Sequence, residues 1–155
     1  MEAIIASAIA VLGTLLGSGI TLAFQRHAVE QGHRFTRGER LRQERLDAYS
    51  AYAGALLNYR RVLVHLWFCS YEEPPRDDVG EVRMRSYALR SSAQEALFRV
   101  QMLTDDVALS RAAEEVLDDI TALYRVDDDR AELDARRRDT REGIRLLVGA
   151  AKRQL

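Results

Sequence analysis

The chain is poor in the residues that most often mark chemistry. It has one cysteine, Cys69, so no internal disulfide can form and a cysteine-based structural zinc site is excluded. Cys69 stands beside Trp67 and Phe68 and reads as a buried small hydrophobe. There are only two prolines, and they are adjacent at Pro74-Pro75, so helix-breaking residues fall at one point of the chain. Lys152 is the only lysine among 23 basic residues, and that Arg bias, with abundant Ala, Asp and Leu, fits the codon usage of a GC-rich bacterium. Neither sign of charge dominates: 23 basic and 24 acidic residues leave a net charge of −1, which argues against a protein devoted to nucleic acid. No segment alternates with period two, which removes β architectures and leaves an all-α fold.

Reactive constellations are equally scarce. Gly13 to Gly17 has no following lysine and lies in an apolar run, so it is no nucleotide-binding loop. Glu30 and His33 have the Glu-x-x-His spacing of di-iron bundles, but a second copy is missing. Asp127-Asp128-Asp129 lacks the glycine and closing glutamate of a calcium loop and reads as a solvated turn. His65 among Leu63, Val64, Leu66 and Trp67 reads as a satisfied interior or interfacial histidine. Asp118 and Asp119 read as an exposed helix edge. The expectation is a non-enzymatic chain with no catalytic residue, no cofactor and no metal.

What is present begins with a long uncharged run. Residues 3–24 carry no charge, between Glu2 and Arg26. As a helix at about 1.5 Å per residue the run reaches roughly 33 Å, enough to cross a hydrocarbon core of about 30 Å. The N-terminal flank lacks the basic residues of a signal peptide. Arg26, Arg34, Arg37, Arg40, Arg42 and Arg45 follow the run, which predicts a single-pass cell-membrane protein with its N-terminus outside and its C-terminal part cytoplasmic. Arg26, Arg34, Arg37 and Arg40 serve as topology signal or contact anionic headgroups, making membrane lipid one expected partner.

Within that run Ala3, Ser7, Ala10, Thr14, Gly17 and Thr21 recur at alternating steps of four and three, and Gly13 and Gly17 form a Gly-x-x-x-Gly. Small residues let helix backbones approach closely in lipid. Ala10, Gly13, Thr14, Gly17 and Thr21 are therefore the expected self-association face of a homo-oligomer.

The remainder divides into a basic juxtamembrane segment at 26–36 after the anchor at 1–25, and a helical domain at 37–155. Leu41, Arg45, Ala48, Tyr52, Leu56, Tyr59, Leu63 and Leu66 follow helical spacing, predicting a helix from Arg37 to Ser70. A capping box is available at Thr36 and Glu39. Apolar residues surround the end of this helix, which predicts burial of Leu56, Tyr59, Leu63, Leu66 and Trp67 against the bundle or a protein partner. A Pro-containing loop at 71–78 precedes a helix from Val79 to Leu103. Thr104-Asp105-Asp106 caps a third, with Val107, Ala113, Val116, Leu117, Ile120 and Tyr124 on its apolar face. After the triple-Asp turn a fourth uses Leu133, Ile144, Leu147, Val148, Ala151 and Leu155. Arg136 to Arg138, flanked by Asp134 and Asp139, fits pairing along a helix rather than a nucleic-acid face. Short connections favour an antiparallel bundle of about four helices behind the transmembrane helix.

Three stretches, Val11-Leu-Gly-Thr-Leu-Leu-Gly17, Arg40-Leu-Arg-Gln-Glu-Arg-Leu-Asp-Ala-Tyr49 and Gly149-Ala-Ala-Lys-Arg-Gln-Leu155, resemble small actinobacterial membrane proteins. Some of these are called KilB-like, after a protein associated with plasmid spread between mycelial compartments. The resemblance implies a membrane-anchored helical protein tied to plasmid transfer, and it carries over no catalytic residue. The reading expected from the residues is a self-associating adaptor or scaffold that docks a protein partner. The alternative is a transport or secretion component whose spans line a path, suggested by Ser7, Thr14 and Thr21.

Overall fold

Helices follow directly from this patterning. The computed structural model describes residues 38–72 and 77–155. The described helices are α1 (38–71), α2 (Val79–Leu103), α3 (Val107–Ala122) and α4 (Arg130–Lys152), and no strand occurs among the described residues. The residues from Arg42 to Leu155 form one compact unit. Among the described residues no helix is long and apolar enough to cross a membrane. The uncharged run at 3–24 and the capping box at Thr36 lie outside the described residues.

Aspartate starts three of the helices. The Asp78 carboxylate accepts from the Glu81 amide, that of Asp106 from Ala108 and Leu109, and that of Asp129 from Ala131 and Glu132. Each such cap stabilises its helix by about 1 kcal/mol, because it satisfies amides that have no partner within the helix.

Contacts across the bundle fix the topology. Arg45, near the start of α1, donates through Nε to the Leu103 carbonyl at the end of α2 (2.7 Å), whereas His65, near the end of α1, meets Asp77 just before α2. Helices α1 and α2 therefore run antiparallel. Tyr52 pairs with Ala113 and Tyr59 with Thr121, so α1 and α3 run in the same direction. Trp67 Nε1 donates to the Asp127 carbonyl (2.9 Å), and Arg60 reaches Arg137 and Thr140, placing α4 antiparallel to α1. The arrangement is an up-down-up-down bundle.

Helix α1 supplies the largest share of the core. Ala48, Tyr52, Leu56, Tyr59, Leu63 and Leu66 are all buried, and they meet Val100, Leu117, Ile120, Leu133 and Ile144 from the other helices. Arg45, which the spacing places on that face, is half-buried and caps α2 instead of entering the core.

Four apolar positions differ from the sequence expectation. Tyr124 is exposed because α3 tightens into a 3-10 turn at Leu123–Arg125. The tighter winding brings Leu123 and Val126 inward in its place. Val107, the first residue of α3, is exposed, as is Leu41 near the start of α1. Val148 is exposed at the edge of a groove between α1 and α4.

Candidate docking surface

A helix in a four-helix bundle needs one apolar face, and α2 has two. Its inward face is Val82, Ser86, Ala93, Leu97 and Val100, all buried. On the opposite side Met84, Tyr87, Phe98 and Met102 are 66%, 51%, 59% and 78% exposed. At about 100° per residue these four fall within roughly 60° of one another, directly opposite the buried set. Eighteen residues separate Met84 from Met102, which makes the stripe about 27 Å long.

Charge frames the stripe asymmetrically. Helix α2 carries Arg83, Arg85, Arg90 and Arg99 against Glu81 and Glu95. By helical geometry Arg83 and Arg90 border one side of the stripe, and Glu81 and Arg99 the other. Ser91 and Glu95 interrupt the middle of the apolar row. Large exposed apolar side chains in a row mark interaction surfaces when the bundle itself leaves them uncovered.

A second apolar feature lies between α1 and α4. A cavity of about 590 Å³ is lined chiefly by Leu46, Tyr49, Ala53, Leu147, Val148 and Leu155, with Arg42 and Lys152 contributing charge. The Tyr49 hydroxyl is buried and has no hydrogen-bond partner.

The sequence-selected residues fall elsewhere. Leu56, Tyr59, Leu63, Leu66 and Trp67 are buried inside the bundle as part of its shared core. The apolar girth at the end of α1 is absorbed by the chain itself: Trp67 covers the turn before α4, and Val62, Val64 and Phe68 pack on the same core. Ala10, Gly13, Thr14, Gly17, Thr21, Arg26, Arg34 and Arg37 lie outside the described residues. Arg40 is exposed on the first turns of α1.

Polar groups serve the bundle. Arg130 stacks its guanidinium 4.6 Å from the Phe68 ring centroid and pairs with Asp134 at 3.2 Å and Glu72 at 3.6 Å. Although some desolvation opposes it, hydrogen bonds from Arg130 and Arg137 hold the Asp134 carboxyl below its ordinary range. Arg136 pairs with Glu132 and Arg137 with Asp134 along the surface of α4.

The outer stripe of α2 is a second apolar face on a helix for which helical spacing predicts a single one. Its signal was present in the spacing of Met84, Tyr87, Phe98 and Met102.

Compared with known proteins, residues 46–155 match the model of a family described as KilB plasmid transfer protein. No curated protein matches the chain, and no solved structure does.

Proposed function

This chain belongs to the KilB plasmid transfer protein family, and on that premise we propose that it is a non-enzymatic, membrane-anchored adaptor of plasmid transfer. Residues 3–24 insert as a single span, the Arg-rich side keeps the helical domain cytoplasmic, and the small-residue face of the span pairs protomers. The domain docks an amphipathic helix of a partner transfer protein on the outer stripe of α2. The uncharged run and its one-sided Arg excess support the anchor.

The α2 stripe carries the docking reading, and its form favours one occupant. Two apolar pairs, Met84 with Tyr87 and Phe98 with Met102, lie along one face of the helix on either side of a polar gap, and they suit a second helix laid along it. Arg83, Arg90 and Arg99 against Glu81 and Glu95 along the stripe favour an acidic partner helix. A second copy would set like charges against each other.

Placing a photo-crosslinking amino acid at position 98 in cells that carry the plasmid tests this directly. The expected adduct joins position 98 to an acidic, helical segment of another plasmid-encoded protein, identified by peptide mass. An adduct with a second copy of the chain, or with lipid, contradicts the reading.

A further inference from the structure

Three metal-ligating side chains meet where α1 ends and the chain turns into α2: His65, Cys69, which is buried at the edge of the core, and Asp77. His65 and Cys69 are one turn apart on the same face of α1, and the chain returns over them at Asp77. His65 Nε2 lies 3.6 Å from Cys69 Sγ and 2.7 Å from an Asp77 carboxylate oxygen. One ligand atom from each residue lies within 4.8 Å of the others.

These spacings can be compared with a tetrahedral zinc site. Bonds of about 2.0 Å to nitrogen and 2.3 Å to sulfur set those two atoms about 3.5 Å apart. The imidazole and thiol already stand at that separation. The carboxylate needs about 3.4 Å from the imidazole nitrogen, so its oxygen must withdraw by roughly 0.7 Å. The Asp77 side chain is 60% exposed and has room to do so.

Charge and access fit as well. A thiolate and a carboxylate together balance a divalent cation, and a mixed sulfur, nitrogen and oxygen set suits a borderline-soft ion. Arg61 and Arg85 share the neighbouring cavity with His65, so two anionic ligands are needed there to hold a cation. The partly exposed His65 and Asp77 leave the fourth position open to water.

We propose that His65, Cys69 and Asp77 bind one divalent cation of the zinc class, with solvent as the fourth ligand. Cys69 releases its proton to solvent as the sulfur–metal bond forms. The proton that His65 Nε2 donates to Asp77 passes through solvent to Nδ1, so the imidazole binds through Nε2, and its hydrogen bond to Asp77 gives way to two metal bonds. The ion ties the last turns of α1 to Asp77, next to the Asp78 cap of α2, and so staples the two helices across their connection.

The untagged full chain in mild detergent, with the thiol kept reduced by a phosphine, is titrated with Co²⁺. The expected result is a thiolate-to-cobalt charge-transfer band in the near ultraviolet that saturates at one equivalent and is displaced by Zn²⁺. Cys69→Ala removes the band, and Asp77→Asn, at an exposed position outside the core, weakens binding by at least about tenfold. Circular dichroism of both variants confirms that the bundle is folded. Absence of the band in the wild-type chain, its survival in Cys69→Ala, or unchanged affinity in Asp77→Asn overturns the proposal.

Discussion

The Tyr52 hydroxyl donates a 2.7 Å hydrogen bond to the Ala113 carbonyl, inside the core and across the seam between α1 and α3. Together with the Tyr59–Thr121 contact it sets the register of two helices that are not neighbours in sequence. Tyr52→Phe keeps the ring and removes the bond, and it is expected to cost about 1 kcal/mol in urea unfolding. Burial, with the Asp118 and Glu114 carboxylates adding to it, pushes the Tyr52 phenol far above its ordinary value. Because the folded value is raised, the stability linked to this group is complete below about pH 10. It falls by about 1.4 kcal/mol per pH unit as the pH rises from there towards the folded value. Unfolding measured at about pH 9 and about pH 11 is expected to show a smaller alkaline loss in Tyr52→Phe than in the wild type.

Arg60 joins α1 to α4 with two bonds from one planar group. Its Nη2 donates to the Arg137 carbonyl at 2.6 Å and its Nε to Thr140 Oγ1 at 3.0 Å. Burial, with Arg137 and Arg141 nearby, lowers its pKa below the usual arginine value. A lysine carries the charge without the fork geometry. Arg60→Lys is therefore expected to lose about 1–2 kcal/mol, read as a lower urea midpoint at unchanged slope.

Two apolar residues of similar chemistry should respond oppositely to truncation. Leu56 is fully buried in the bundle, and Leu56→Ala is expected to cost about 2–5 kcal/mol through lost burial and an unfilled cavity. Phe98 faces outward on α2, and Phe98→Ala is expected to change stability by less than about 0.5 kcal/mol. Thermal unfolding of the two variants side by side checks the contrast. A large loss for Phe98→Ala would place it in the core and remove it from the docking surface.

The proposed adaptor self-associates through the small residues of its span. Gly17→Leu adds bulk where two backbones approach, so pairing in a membrane two-hybrid assay is expected to weaken while insertion persists. Unchanged pairing would move the oligomer contact elsewhere.

Much of the bundle was legible in local chemistry. The bounds Val79–Leu103 follow from Asp78 on one side and Thr104-Asp105-Asp106 on the other, where caps and loss of apolar spacing coincide. Tyr124 misled because helical spacing assumes constant winding, and the 3-10 turn at Leu123–Arg125 breaks that assumption through tertiary packing. The burial of Trp67 was expected, but periodicity could not tell a bundle partner from an outside one. That distinction depends on the Asp127 carbonyl, sixty residues away. The convergence of His65, Cys69 and Asp77 was hidden for a similar reason: spacing gives the pair on α1, and only the fold returns the carboxylate to it. The outer apolar residues of α2 stand in the sequence, but only the packing of the other helices decides that they are exposed.

The measurement that bears most directly on an adaptor working through α2 is plasmid transfer in a host whose plasmid lacks this gene. The gene is resupplied either as wild type or with Met84, Tyr87, Phe98 and Met102 all changed to serine, and membrane-fraction levels are matched. Docking on the outer stripe predicts that the quadruple variant accumulates normally in the membrane fraction and transfers no better than the deletion. Wild-type transfer by that variant would contradict it.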